Sequence, residues 1–492
     1  MLLLRSSCRV SGVSDPYRTC CINPRCTRVS AALRGENRSD VALSSEVLVA
    51  YNFLPVERDQ SFLLPPSMRD WLPEDHLAFF ILDVVEQMDL KPFYLRYRDD
   101  GWGAPAHDPK MMVALLLYAY CIGERSSRRI ERRCNEDMAC RVICANNSPD
   151  HTTIARFRRQ NERALVSCFT EVLRLCAEAG LVRIGTVALD GTKILANASL
   201  RANRSKESIE AEVAAILAEA AAADEGEDDT LGEGVRGDEL PEGMRARQGR
   251  LARLAECRAR LQAQDVVIAH EAELRRREAI AKQTGRNPVG RPPKQRKPTK
   301  NSLVANPTDP DSRVMKTKYT YLQGYNAQAV VSEDQVIVAA AITQEPADMH
   351  QLHPMLERGR RELHAANIEG GIGVVLADAG YYSEANLEAS ESAPERFLVA
   401  VTNEHDQRTG SSTTKGAHKG LRGLLMRDEL AREEGRMLYA KRAGMVEPVF
   451  GQIKEARGAR RFSRRGLRAC DAEWKLICAT HNLLKLWRHS GG

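Results

Sequence analysis

The sequence predicts an α/β fold: a mixed five-stranded sheet, split by a helical insertion and preceded by an all-α region. The first observation behind this is the order of the β-rich runs. A strand at 187–189 is followed much later by runs at 326–331 and 336–343, joined by Ser332-Glu333-Asp334-Gln335 as a hairpin. A helix near 349–362, an apolar strand at 372–377, another at 397–401 and a further helix complete the order. The second observation is helical periodicity ahead of the first strand. Leu77, Phe80, Ile81, Val84, Val85 and Met88 line one face of a helix, and the run 111–121 is so uniformly apolar that it must be buried. The third is the stretch between the two halves of the sheet. Ile209, Val213, Ile216 and Leu217 mark one face of a helix over 208–222, and Leu251, Leu254, Leu261 and Ile268 fall at heptad positions after an acidic loop at 224–243. This predicts a helical hairpin.

A chain of 492 residues with 43% hydrophobic content can bury a core in each of roughly two to four domains, which excludes wholesale disorder. The net charge of +6 is small for this length, so its distribution matters more than its size. Nine Lys or Arg against two acids lie between Arg286 and Lys318, and seven against one between Lys454 and Arg468. Such concentrations suggest a polyanionic partner, with a solvated face as the plainer alternative. The 13 cysteines are odd in number and lack zinc-ligand spacing, so they are expected to be reduced thiols of a cytosolic protein. Arg5 interrupts the apolar start, and no run of about 18 apolar residues occurs, which predicts a soluble protein with neither signal peptide nor membrane span.

The resulting division is a disordered leader at 1–48, a helical domain at 49–180, a sheet domain at 181–200 and 319–492, and a helical insertion with basic linker at 201–318. Within the helical region, 126–134 and 152–161 look like two short helices joined by a turn, the second bearing Arg156, Arg158 and Arg159. Short polar helices of an ordinary bundle have the same texture. The insertion ends in Gly290-Arg291-Pro292-Pro293-Lys294, either a plain linker or an extended basic segment suited to an A·T-rich minor groove through Arg291 and Lys294.

Three acids stand out. Asp190 and Asp378 each end a predicted strand, where parallel strands present side chains to a crevice. Glu447 belongs to a helix expected to begin at about that residue, because Pro448 is tolerated only in a first turn. Val446, Val449, Phe450 and Ile453 form its buried stripe, while Glu447, Gly451 and Lys454 share another face. Taken alone, Glu447 could be no more than a favourable charge at a helix N-terminus. If the two strands are neighbours, the carboxylates converge and require divalent cations, Mg2+ or Mn2+, of the kind that cleave phosphodiesters.

At these residues the sequence resembles the DDE transposases of bacterial insertion sequences, whose RNase H-like catalytic domain follows an InsH-type N-terminal domain. The resemblance runs from about Tyr51 onward, through 72–77, 126–131, Pro149-Asp150-His151-Thr152-Thr153, Ala188-Leu189-Asp190-Gly191, Gly324-Tyr325-Asn326-Ala327-Gln328, Ala377-Asp378-Ala379-Gly380-Tyr381 and 446–454. It implies a metal-binding triad of Asp190, Asp378 and Glu447, and maps the family's Tyr, Arg, Glu, Lys signature onto Tyr439, Arg442, Glu447 and Lys454. One residue more separates Arg442 from Glu447 than in the family pattern. It further implies double-stranded DNA as partner, contacted by Arg156, Arg158, Arg159, Arg291, Lys294, Arg442, Arg460 and Arg461. Assembly as a homodimer or larger on DNA, and a cytoplasmic, nucleoid-associated location, follow from the same likeness. The implied activity is binding of the element's inverted ends, metal-dependent cleavage and joining of the 3′-OH to target DNA. A non-catalytic DNA-binding derivative and a plain RNase H-like nuclease are the competing readings.

Overall fold

The computed structural model describes residues 53–56, 67–98, 100, 102–231, 242–263, 304–317, 320–401 and 420–491. The expected leader, the heptad residue Ile268 and the basic segment with Arg291 and Lys294 lie outside them. Seven helices come first: α1 Leu77–Glu86, α2 Lys91–Tyr94, α3 Pro109–Cys121, α4 Ser127–Glu136, α5 Met138–Cys144, α6 His151–Gln160 and α7 Glu162–Glu178. Helix α3 is the buried one, with every residue from Met111 to Cys121 inside. It starts at Pro109, and Asp108 caps it by accepting from the Lys110 N–H at 2.9 Å. The two helices expected to be joined by a turn, α4 and α6, do pack together, but α5 lies between them. At seven residues α5 spans two turns, too few for its period to register, and its Ala139, Cys140, Val142, Ile143 and Cys144 are all core.

The sheet is built outward from β1, Thr186–Leu195. After β1 the chain leaves it for a satellite of β2 Arg204–Ser205, α8 Lys206–Leu231, α9 Glu242–Ala263 and β3 Val304–Ala305. Strands β2 and β3 pair antiparallel, and Ile209, Leu254, Cys257, Leu261 and Ala305 share a small separate core. Helix α8 runs on to Leu231, so the first part of the expected acidic loop is helical. The chain then returns through β4 Arg313–Lys316, β5 Tyr321–Ser332, β6 Ile337–Thr343, β7 Val374–Ala377 and β8 Arg396–Val399. The sheet therefore has six strands, not five, in the order β4-β5-β1-β7-β8 with β6 also on β5. The extra strand β4 comes from residues expected to belong to the insertion. Strands β1, β5, β6 and β4 pair antiparallel, and β1, β7 and β8 pair parallel.

The remaining helices are α10 Leu352–Ala365, α11 Glu384–Ser390, α12 Leu421–Ala431, α13 Glu433–Gly451 and α14 Leu467–His489. Helix α14 joins the two halves, packing on α3 and α7 on one side and β6 on the other. An edge strand leaves backbone groups unpaired, and here α14 takes them up. The Asn482 side chain accepts from Ile337 N at 2.9 Å and donates to Ile337 O at 2.8 Å, while Asp471 accepts from Ile342 N at 3.0 Å.

Helix α13 does not start at Glu447 as expected. It runs from Glu433, with Pro448 in its interior. A proline there strips the carbonyl four residues earlier of its donor. That carbonyl belongs to Gly444, and it accepts from Gln335 Nε2 at 2.8 Å. Replacement from another element is what lets the helix pass through Pro448 into a π turn, Gln452–Ala456.

Gln335 also accepts, through its carbonyl, from Nε2 of the buried His481 at 3.0 Å. Burial, and next the charge of Arg457, pull the His481 pKa down to about 3. An imidazole whose folded pKa is depressed stabilises the fold fully above its unfolded value near 6.5, and that stabilisation is lost as pH falls toward the folded value. Denaturant titrations should show wild-type stability falling by about 1.4 kcal/mol per pH unit more steeply than His481→Gln between about pH 6 and 4.5. Parallel slopes for the two proteins would remove this linkage.

Candidate active site

Asp190 sits in the middle of β1 rather than at its end, and it is β7 that makes the position open. The parallel pairing stops at Leu189 and Ala377, so Asp190 and Asp378 are the next residues on strands about 4.8 Å apart. Asp190 Oδ1 accepts from Gly191 N at 2.7 Å, and Oδ2 accepts from Arg442 Nη1 at 3.1 Å. Asp378 caps the 3-10 turn Ala379–Tyr381, accepting from Gly380 N at 2.9 Å. Burial and then the Asp378 charge push the Asp190 carboxyl up to about 6, against the pull of Arg442. A side chain at Gly191 would collide with the Gln328 amide and the Asp348 carboxylate.

Asp348 is a member of the site that sequence reasoning missed. Its Oδ1 accepts from Asn326 Nδ2 at 2.6 Å, Gln328 Nε2 at 2.7 Å and Lys193 Nζ at 3.3 Å. Tyr381, buried beside them, donates its hydroxyl to Gln328 Oε1. Burial, followed by the charges of Asp348, Asp190 and Asp378, holds that hydroxyl well above its usual range. The signal was available: Asn326 and Gln328 alternate on one face of an apolar strand, and buried amides require a buried partner.

Lys454 lies in the π turn and donates to Thr192 Oγ1, two residues beyond Asp190 on the same face of β1. Burial, and then Arg460, lower its pKa. Glu447 is placed otherwise. It is exposed on α13, about 7.5 Å along the axis from Arg442 at 1.5 Å per residue, while Val446 and Val449 take the core. Among the described residues no three His, Cys, Asp or Glu side chains are grouped closely enough to hold one ion. The structure thus brings Asp190, Asp378, Arg442 and Lys454 together and leaves Glu447 facing solvent.

Of the arginines expected to touch DNA, Arg442 is only 5% exposed and engaged on Asp190. Arg158 is 7% exposed, and its guanidinium donates to Tyr120 Oη, the Arg125 carbonyl and Ser127 Oγ. Both are internal braces because they sit on the buried faces of their helices. Arg156, Arg159, Arg460 and Arg461 are exposed, with Arg460 paired to Glu455.

An acid pair at the open end of a parallel strand pair, with Lys454 beside it and exposed arginines beyond, places the chain among α/β proteins with a charged site at the strand ends. Family comparison narrows that class. Residues 66–160 match the family model described as a transposase domain (DUF772), and residues 288–483 match the one described as a transposase DDE domain. The chain belongs to the DDE transposases of insertion sequences. Asp378, Glu447 and Lys454 fall inside the second matched segment, and Asp190 falls between the two. No curated protein and no solved structure matches the chain.

Removing Asp348 would leave the Gln328 amide and the Lys193 ammonium without their acceptor, while Asn326 keeps the Glu345 carbonyl at 3.2 Å, each unsatisfied group costing about 1–3 kcal/mol. Asp348→Ala should therefore lower the denaturant-derived stability by about 2–4 kcal/mol. A loss below about 0.5 kcal/mol, the size of an ordinary surface change, would mean that the network contributes nothing to the fold.

Proposed function

We propose that the protein is an active transposase that binds the ends of its element, cleaves phosphodiester bonds there and joins the freed 3′-OH to target DNA. The observation that carries this reading is the placement of Asp190 and Asp378 side by side, with Arg442 and Lys454 against them. We read the sheet as RNase H-like, since β6, β5 and β1 are antiparallel neighbours and β1, β7 and β8 are parallel ones.

The donor set fits divalent cations, because the Asp190 carboxyl is raised in part by an adjacent like charge that such a cation would offset. Asp190 and Asp378 would hold Mg2+ or Mn2+, with Glu447 as the third ligand that the family likeness implies; the chemistry such an ion supplies is activation of the attacking oxygen and neutralisation of the leaving one. The chain's own groups do the rest. Arg442 fixes the orientation of Asp190. Lys454, steadied by Thr192, presents an ammonium to a phosphate neighbouring the reacting one. Arg156, Arg159 and Arg461 supply phosphate contacts to double-stranded DNA, and the protein works as a homodimer or larger on DNA, cytoplasmic and associated with the nucleoid. No described helix is long and apolar enough to cross a membrane. The outward position of Glu447 favours a second reading, a DNA-binding relative that does not cut.

Three measurements test this. Asp190→Asn, Asp378→Asn and Glu447→Gln should each abolish cleavage of an element-end duplex in Mg2+ while preserving binding in chelator. Near wild-type cutting by any one of them would remove that residue from the site. A raised carboxyl pKa means that ionised Asp190 weighs on the fold at neutral pH, an effect that fades as pH falls through about 6 toward the unfolded value near 3.9. Asp190→Asn should therefore lose the thermal shift that Mg2+ gives wild type at about pH 8. Lys454→Ala should slow cleavage and joining without lowering the melting temperature, with partial rescue by arginine. Normal cleavage with a lower melting temperature would make Lys454 structural.

A further inference from the structure

Where the helical region meets the end of β1, the surface forms an open basin of about 940 Å3. Seven arginines line it and no acidic side chain does. Arg128, Arg156, Arg159 and Arg461 are exposed on its wall, while Arg125 and Arg158 build that wall. Arg125 reaches across from the helical region to the carbonyls of Arg461 and Gly458 at 2.7 and 2.8 Å, and Arg158 holds the Arg125 carbonyl at 2.7 Å. The two sides are thus fixed to each other without a ligand. Residues of the first turns of α4 and α6, Ser127 and Thr152 among them, also face the basin, where Glu124 and Asp150 already take the N–H groups of Ser126 and Thr153, so the arginines supply its charge.

Its position relative to the acid pair is set by β1. The segment 460–462 bridges the end of that strand, with Leu195 N donating to Arg460 O at 3.0 Å and Phe462 N to Leu195 O at 2.8 Å. Leu195 is five residues beyond Asp190, or about 17 Å at 3.3 Å per residue. Lys454 stands between them at Thr192. A line of cations therefore runs along β1 from the carboxylates to the basin. At 3.4 Å per nucleotide that distance is about five nucleotides of duplex.

We propose that this basin grips the sugar–phosphate backbone of double-stranded DNA about five nucleotides from the end that lies at Asp190 and Asp378. The register rests on the transposase reading; the basin's affinity for phosphate does not. The test is fluorescence anisotropy of the full chain with a blunt duplex of about 24 base pairs in chelator, across a salt series. The triple variant Arg128→Ala, Arg156→Ala, Arg461→Ala should reduce the slope of log affinity against log salt by about 2.7, near 0.9 per lost contact. The corresponding triple lysine variant should retain the slope, which separates lost charge from a damaged fold. Neutral methylphosphonates at about the fourth to sixth nucleotides from the end should weaken wild type several-fold and leave the alanine variant unaffected. An unchanged slope, or a methylphosphonate effect that ignores distance from the end, overturns the proposal. A protein with this end-referenced footprint that never cuts in Mg2+ loses only the transposase reading. One that cuts normally but has no such footprint loses only the basin.

Discussion

Two carboxylates one residue beyond the pairing of adjacent parallel strands repel each other, and at about 5 Å with an effective dielectric near 20 the cost is about 3 kcal/mol. The fold holds them there with opposing groups: the N–H of Gly191 and the Arg442 guanidinium on Asp190, and the N–H of Gly380 on Asp378. Arg442 in turn is buried and needs Asp190. Each partner would be costly alone. The acid pair is therefore only as well placed as α13, the helix that carries Arg442.

The position of α13 traces back to one glutamine in a hairpin turn. Gln335, at φ +60, gives its amide to Gly444 O of α13, accepts on Oε1 from Lys485 Nζ of α14 at 2.6 Å, and accepts on its carbonyl from His481 of the same helix. A turn residue thus joins the β5–β6 hairpin to both flanking helices. Without it the Gly444 carbonyl, exposed on α13, would turn to water, and the tie between the hairpin turn and the helix would be lost. The helix that carries Arg442 is thus tied to the hairpin turn through groups that touch neither acid.

The sequence made the order of the strands along the chain, the buried α3 helix, the insertion and the neighbouring Asp190 and Asp378 readable, because long periodic runs and acids that interrupt apolar strands are strong local signals. What it concealed depended on partners distant in the chain. Pro448 looked like a helix start because nothing nearby announces Gln335 as the replacement donor. Asp348 carries no local mark of its own, since Lys193 and Asn326 reach it from β1 and β5. Arg156, Arg158 and Arg159 looked alike, and only the packing of α6 turns Arg158 inward to Tyr120. Strand β4 was hidden by its basic, four-residue sequence, which pairs with the first residues of β5.

The helical region and the sheet are held together by contacts with little freedom. Helix α14 lies between α7 and β6, and the buried Arg457 at the head of the 457–463 segment donates to Thr480 Oγ1 at 2.9 Å and the Ile477 carbonyl at 3.2 Å. Just beyond, Arg125 seizes the same segment from the helical side. Gly123, at φ +82, lets the chain approach the Arg457 carbonyl more closely than a side chain would permit. A surface divided between two regions usually has a spacing set by linker length. Here it is set by the rise of a β-strand and by hydrogen bonds inside a core. The interval between the acid pair and the arginine basin is accordingly a property of the rigid fold, and a partner that spans both must bring its own periodicity to match.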